Sequence, residues 1–259
     1  LGIPARFLVK SLKGVTHYNP FIDLSKHKLK KSSAGICFSE HVSKLLGGGL
    51  KVIYHGAEPS LAHIPSKSDA RKYFSIPVEK KVAATVGFRT VTKGWDMLAK
   101  VNLSDDWVII SNSAKSHYSK ETFEKQKTKK ANVIDLQRGY LSEEDLSMLF
   151  YASDILLLPY KITSGSGVMF DALAHGLPFV SSDLEFFKEF ARVGLGIASK
   201  RNPKSFENAI DELSKNYENY LSSVNQFKEK LDWMYVSKQH IETYADSIKD
   251  SHSKTSTAI

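Results

Sequence analysis

The stretch KVAATVGFRTVTKGWDMLAKVNLSDDWVIIS (81–111) decides the fold of this chain. It begins and ends with near-continuous apolar runs, at 81–88 and 107–111, and a helix candidate lies between them at 93–101. Strands that are apolar along their whole length are typical of a parallel sheet covered on both faces by helices. The stretch therefore predicts a strand–helix–strand unit of a doubly wound α/β protein.

The same alternation extends in both directions from this unit. Further strand candidates lie at 5–12, 34–39, 51–55, 131–136, 154–160 and 178–182. Helix candidates lie at 21–31, 40–46, 67–74, 118–129, 142–152, 166–175 and 184–191. After Pro203 the strand signal ends, and helical spacing predicts helices alone over 204–249. We expect the polar tail at 250–259 to be disordered.

The strands divide into two unequal groups around a linker. Two prolines and a glycine in GAEPSLAHIPSKS (56–68) are typical of a linker. Three strand candidates precede it, too few for a complete doubly wound domain, and five follow it. We therefore expect the end of one Rossmann-like domain at 1–55 and a complete second one at 69–203. Since the chain begins with Leu1, we expect a fragment or a processed product.

Composition excludes several classes of protein. No uninterrupted apolar run reaches the roughly 18 residues that a membrane-spanning helix needs, and no basic-then-apolar leader stands at the start. The single cysteine, Cys37, excludes an internal disulfide and a cysteine metal cluster, and no histidine pair has metal-ligand spacing. A lone cysteine is what a reducing compartment would produce, so we expect a cytoplasmic protein without a bound metal.

The positive charge is concentrated near the start. The chain carries a net charge of +8, and residues 1–50 hold two acids against eight bases, namely Arg6, Lys10, Lys13, Lys26, Lys28, Lys30, Lys31 and Lys44. Such a patch attracts anionic lipid headgroups or a phosphate-bearing acceptor, or it is a solvated lysine-rich face. Nucleic acid is disfavoured, because the patch lacks interleaved aromatic residues and a recognition motif.

The loop that follows the strand at 81–88 carries two cations. Gly87 lets a ligand approach the backbone, and Arg89 and Lys93 could place a guanidinium and an ammonium on one diphosphate. In an open parallel sheet such a loop faces the ligand cleft. The alternative is two solvated loop bases.

A second loop joins the apolar strand at 154–160 to a helix. It contains small and hydroxyl residues that expose the first amides of the helix to an anion: Thr163, Ser164, Gly165, Ser166 and Gly167. Asp171, one to two turns into the helix, could accept hydrogen bonds from a ribose. The alternative is an ordinary capped turn with a surface aspartate.

A third loop, Arg138–Gly139–Tyr140–Leu141, follows the strand at 131–136. It precedes a helix with a plausible cap at Ser142. Because it also lies at a carboxyl strand end, its backbone could receive a nucleobase.

Taken in order, these segments resemble the donor half of GT-B glycosyltransferases, specifically the retaining family four, also called group 1. The matching stretches are 51–59, the V-G-x-R-x-x-x-K-G pattern at 86–94, 138–160, and the loop leading to FDALAHGLPFV at 170–180. A late D-W-M-Y run at 232–235 is similar to the family's final helix, which returns to the first domain.

The resemblance implies a role for each loop. Arg89 and Lys93 would hold the diphosphate of a UDP-, GDP- or ADP-sugar, assisted by amides near Ser166 and Gly167. Asp171 would bind the ribose, and the backbone at 138–141 would meet the base. Transfer would need no metal, since cations and amides stabilise the departing nucleotide.

Two positions depart from the family pattern. The family usually has Glu, seven residues and Glu, where this chain has Thr163 and Asp171. Lys13 replaces a histidine that often follows an early strand in the family.

We expect a metal-independent retaining hexosyltransferase at the cytoplasmic membrane surface. The alternatives are a non-catalytic nucleotide-sugar or protein-binding module, or a sugar-nucleotide epimerase.

Overall fold

A computed structural model describes residues 20–114 and 132–256. The strand candidate at 5–12, the helix candidate at 118–129 and Lys13 lie outside the described residues. The strands are β1 (Ile36–Cys37), β2 (Lys51–Val52), β3 (Lys81–Phe88), β4 (Trp107–Ala114), β5 (Val133–Asp135), β6 (Ile155–Leu158), β7 (Phe179–Ser182) and β8 (Gly196–Ser199).

Helices connect these strands and form the end of the chain. They are α1 (Pro20–Leu29), α2 (Glu40–Leu45), α3 (Lys67–Tyr73), α4 (Trp95–Leu98), α5 (Glu143–Ala152), α6 (Gly167–Ala174), α7 (Glu185–Ala191), α8 (Pro203–Lys215), α9 (Tyr217–Phe227) and α10 (Trp233–Ser256). Two 3₁₀ turns lie at Val91–Lys93 and Lys228–Leu231. Among the helices described, none has the length and apolar character needed to cross a bilayer.

Six strands form one parallel sheet in the order β5-β4-β3-β6-β7-β8. Numbered within the sheet, this is the order 3-2-1-4-5-6 of a dinucleotide-binding fold. The prediction of a doubly wound α/β sheet is confirmed. The strand order reverses between β3 and β6, which places the crevice for a ligand beyond the carboxyl ends of these two strands.

The core explains why the strands lack alternating polarity. All four residues of β6, ILLL, are at most 1% exposed, because separate apolar clusters cover the two faces of the sheet. Phe170, Phe186 and Phe190 pack on one face, whereas Trp107 and Phe206 pack on the other. Burial on both faces removes the polar alternation of a strand with one wet side.

The structure corrects the strand count after the linker from five to six. The additional strand, β8, pairs with β7 along Gly196–Ser199. Its sequence, GIAS, is short and has small residues, and three of its four residues are partly exposed. It therefore lacks an apolar run that sequence analysis could detect. The last helix also differs from expectation, since it extends through the polar tail to Ser256, a segment without proline or glycine.

A second, two-stranded parallel sheet is formed by β1 and β2. The helix between its strands, α2, contacts α7, because the two carboxylate oxygens of Glu189 each accept a hydrogen bond from an amide at the start of α2, those of Glu40 and His41. The ring of Trp233 lies so close to Gly56 that a Cβ there would meet it at 2.4 Å. These contacts hold the small sheet against the carboxyl-terminal helices.

Candidate functional site

Arg89 lies directly after β3, and its side chain turns toward β4. The Nε and Nη2 groups donate to the hydroxyl of Ser113 over 2.9 and 2.5 Å. Among the described residues no carboxylate forms an ion pair with Arg89. Space is open beside Gly87, which has a φ of 139° and no atom within 4 Å of an added Cβ. The guanidinium is therefore held by a neutral partner next to open space.

Lys93 ends the 3₁₀ turn and faces the opposite neighbour, β6. Its ammonium lies 3.8 Å from the centroid of the Tyr160 ring. The Tyr160 hydroxyl is in turn 3.3 Å from the hydroxyl of Ser166. No acidic side chain of the described ranges pairs with Lys93. The ammonium is thus stabilised by a ring face next to the second loop, and its charge is left for an anion.

The loop after β6 leads into the amino terminus of α6. Ser166 caps this helix by accepting a hydrogen bond from the amide of Met169 over 3.3 Å. Ser164 and Gly167 are exposed, and an added Cβ at Gly165 or Gly167 would meet no atom within 4 Å. The first amides of α6 therefore border open space, where the helix dipole favours negative charge.

Thr163 is occupied within its own loop. Its hydroxyl donates to the carbonyl of Gly165 over 2.5 Å and accepts from the amide of the same residue over 3.1 Å. This arrangement fixes the loop. Because a threonine side chain is uncharged, it adds no negative charge at this point of the loop.

Asp171 is the fifth residue of α6 and follows the loop at 163–167 in sequence. Burial raises the pKa of its carboxyl to about 6, while the nearby His55 acts in the opposite direction and Glu143 adds to the rise. No hydrogen bond to this carboxylate comes from the described residues. The Nδ1 atom of His55 is likewise buried without a partner in the described part of the chain. Sequence analysis gave His55 no role.

The third loop is held by a buried side chain that sequence analysis missed. The Asn112 oxygen accepts from the amide of Arg138 over 3.1 Å, and its nitrogen donates to the carbonyl of Gly139 over 2.7 Å. Leu141 is buried, whereas Tyr140 is 80% exposed, with its ring 6.2 Å from that of Phe88. Tyr140 is therefore the side chain that this loop presents to solvent.

The guanidinium of Arg138 points elsewhere. It lies over the rings of Tyr73 and Phe74, at 5.2 and 4.9 Å, and pairs with Asp145 over 3.5 Å. The nucleotide contact predicted at this position would therefore be made by the backbone of Arg138. The side chain of Arg138 instead links α3 to α5.

The sequence failed to indicate Asn112 and Ser113 for the same reason. The sequence prediction ended the strand at 111, but β4 extends to Ala114, and its register pairs Gly87 with Ser113. Polar residues at the end of an apolar strand gave no strand signal. Extending β4 along β3 would have brought both side chains to the carboxyl edge.

The fold is that of a GT-B type protein. A sequence profile of the family described as Glycosyl transferases group 1 matches residues 87–216. This range contains all three candidate loops and Asp171. The chain belongs to this family.

Solved structures support the same fold. Sucrose-phosphate synthase from Thermosynechococcus elongatus has a TM-score of 0.73 at 16% identity, over 92% of this chain and 64% of its own. Anabaena HepE in complex with UDP and glucose has a TM-score of 0.68 at 18% identity, over 89% and 68%. WaaG, a glycosyltransferase involved in lipopolysaccharide biosynthesis, has a TM-score of 0.57 at 15% identity, over 76% and 58%. No curated protein sequence matches the chain.

This chain therefore spans less than two thirds of the length of sucrose-phosphate synthase, the first of these structures. The likeness at such identities defines the architecture.

Proposed function

We propose that this chain is the donor-binding part of a retaining glycosyltransferase that moves a hexosyl group from a nucleotide-diphosphate sugar to an acceptor. The observation that carries the proposal is the placement of the Lys93 ammonium beside the loop that opens α6, at the point where the strand order reverses. A cation without a carboxylate partner and the exposed helix amides favour one anionic guest between them.

The chemistry assigned to these groups is stabilisation of the leaving group. Cleaving the bond between sugar and diphosphate places negative charge on the nucleotide, and Lys93, Arg89 and the α6 amides lower its energy. Arg89 reaches the diphosphate after exchanging its neutral partner, Ser113, for a phosphate oxygen. We propose that these groups suffice without a divalent cation, so activity would survive EDTA.

Asp171 is assigned to the ribose. Its carboxylate receives no hydrogen bond from the described residues, and ribose hydroxyls would supply donors. The base is assigned to the third loop, beside Tyr140 and the backbone at 138–141. Because HepE was solved with UDP-glucose, uracil is the first base to test here.

The direct test is nucleotide binding by thermal shift and calorimetry, using UDP, GDP and ADP with their sugars. We expect one base to be preferred, and Lys93→Ala to weaken its binding about 100-fold, since hydrogen bonds to charged groups are worth about 1.5–3 kcal/mol each. Arg89→Ala would weaken binding by a similar factor. Lys215→Ala, which removes an exposed lysine paired with Asp211, is the control and leaves binding unchanged. Equal affinities for all four proteins would refute the proposal.

A second candidate function is a binding module without catalysis. The Thr163 hydroxyl favours it, because this group is uncharged and bonded within its own loop. Such a module would bind the nucleotide sugar but would neither transfer nor hydrolyse the sugar. Thr163→Glu would restore the family's charge, and an increase in donor hydrolysis would identify an impaired transferase.

We also propose that the basic 1–50 segment meets an anionic membrane surface on the cytoplasmic side or a phosphate-bearing acceptor. Three of its lysines, Lys28, Lys30 and Lys31, are exposed at the end of α1. At low salt the protein would sediment with anionic vesicles and not with neutral ones. Equal binding to both kinds of vesicle would contradict this assignment, and binding to neither would favour a phosphate-bearing acceptor.

A further inference from the structure

Arg201 lies between β8 and α8, far in sequence from both anion-binding loops, yet it contacts residues of each. Its Nε donates to the carbonyl of Pro159 over 2.9 Å, directly after β6. Its Nη2 donates to the Asp96 carboxylate over 2.9 Å and lies 3.4 Å from the carbonyl of Gly94. One guanidinium therefore bridges the loops that follow β3 and β6.

The two loops also touch directly at this point. Gly94 has a left-handed φ of 71°, and an added Cβ would lie 1.8 Å from the carbonyl oxygen of Pro159. The amide of Lys161 donates to the carbonyl of Thr92 over 2.8 Å. Lys93 and Tyr160, which form the cation–π contact, are the residues between these contacts. The geometry of that contact is thus set by its neighbours on both sides.

Asp96 is the acid closest in sequence to Lys93, three residues away. Residues at this spacing on a helical turn can pair. In the structure the Asp96 carboxylate instead binds Arg201 at 2.9 Å and Lys161 at 3.3 Å. Both cations contact the Oδ1 atom and balance the charge of the carboxylate, and the Lys93 ammonium stays over the Tyr160 ring.

We infer that Arg201 is a positioning residue for Lys93. By engaging Asp96 it keeps that carboxylate from competing for the ammonium, and by binding the Pro159 carbonyl it keeps the Tyr160 ring beneath the ammonium. Arg201 itself does not touch the substrate. The inference rests on the proposed function, since it concerns the affinity of the same site for a nucleotide diphosphate.

The test measures UDP binding by calorimetry, with GDP and ADP in parallel, for four variants. Arg201→Gln shortens the side chain and removes its charge, and we expect about fivefold weaker binding, the range of a partly exposed ion pair. The double variant Arg201→Gln/Asp96→Asn removes the competing carboxylate and restores most of the affinity. Arg192→Gln, which removes an exposed arginine 3.8 Å from Glu185, is the matched control and binds normally.

Rescue by the second substitution separates positioning from a general loss of structure, because a misfolded loop would not recover on losing a further hydrogen bond. Arg201→Lys provides the check if Arg201→Gln does not fold. It keeps a cation beside Asp96 although it lacks the guanidinium fork, and we expect a smaller loss of affinity than in Arg201→Gln.

Three results would overturn the inference. Unchanged binding by Arg201→Gln would refute the positioning role of Arg201 and leave the proposed function intact. Failure of Asp96→Asn to restore binding, or a loss in Arg201→Lys as large as in Arg201→Gln, would reject the role of charge competition. A parent protein that binds none of the three nucleotides would reject the proposed function and this inference together.

Discussion

The two ends of the strands in the six-stranded sheet differ in how their charged side chains are paired. At the amino-terminal edge, the Asp154 carboxylate before β6 binds Arg71 and Lys67, each at 2.7 Å, and accepts the amide of Val82 at 2.6 Å. At the carboxyl-terminal edge, Lys93 has no carboxylate partner in the described part of the chain. The Asp154 carboxylate is paired with cations of the protein, whereas the Lys93 ammonium is available to a ligand.

This difference separates stability from binding within one sheet. Removing one partner of a buried ion pair destabilises the folded state, because it leaves an uncompensated ion. A charge that is left without a counter-ion contributes little to folding and is available to a ligand. The contrast can be tested by comparing the free energy of unfolding with nucleotide affinity for substitutions at each edge.

The largest effect is expected for Asp154→Ala. It leaves the buried Arg71 guanidinium and the Val82 amide without their acceptor, which costs about 3–5 kcal/mol in the free energy of unfolding. Urea denaturation measures this loss, and the folded fraction should still bind UDP normally. Asp211→Ala, at an exposed helix pair with Lys215, is the control, with an expected loss of about 0.5 kcal/mol. Similar losses in both variants would break the comparison.

The next effect is expected for Asp171→Asn and has the opposite sign. Because the folded pKa of Asp171 is raised to about 6, the folded protein binds the proton more tightly than the unfolded chain, and stability falls as the pH rises from about 4 to about 6. Removing the charge should therefore raise the free energy of unfolding at pH 7 by about 2 kcal/mol, an upper value because the group is partly exposed.

This gain should vanish below about pH 4, where the parent carboxyl is protonated in both states. Denaturation at pH 4 and pH 7 measures the difference. Nucleotide affinity should fall in the same variant, because the amide replaces one of the two carboxylate oxygens with a donor and removes the negative charge that ribose hydroxyls would bind. A variant that is stabilised equally at both pH values would show that burial does not act through ionisation.

The smallest effect is expected for Ser166→Ala, which removes the cap of α6 at the carboxyl edge. Loss of an N-cap hydroxyl costs about 1 kcal/mol in stability. Ser66→Ala removes the equivalent hydrogen bond to the Asp69 amide at the start of α3 and is the matched control. If both variants lose the same stability but only Ser166→Ala has a changed nucleotide affinity, the two ends of the strands differ in binding and not in stability.

Much of the fold could be predicted from local sequence. The strand predicted at 81–88 is β3 with the same bounds, because a continuous apolar run identifies a strand covered on both faces. By contrast, β8 has four small or partly exposed residues at the edge of the sheet. Its strand conformation depends on pairing with β7, which lies elsewhere in the sequence, and local hydrophobicity does not record that pairing.

The same distinction applies to the site. Arg89, Lys93 and the loop at 163–167 stand out because each follows a recognisable strand. Tyr160 and Arg201 do not, because they act on Lys93 from other segments, and their proximity arises from the strand order. The roles of all these residues in binding a nucleotide sugar remain predictions.

Gly94 has a consequence for how this chain tolerates change. A side chain of any kind would have to displace the Pro159 carbonyl, and the backbone angle would be strained as well. In a saturation screen for activity, alanine at 94 should fail along with the larger residues, although most positions accept alanine. Gly94, the smallest residue in the loop, would then be the residue that tolerates substitution least. Other chains in which the two loops make the same contact could be recognised by a glycine at this position.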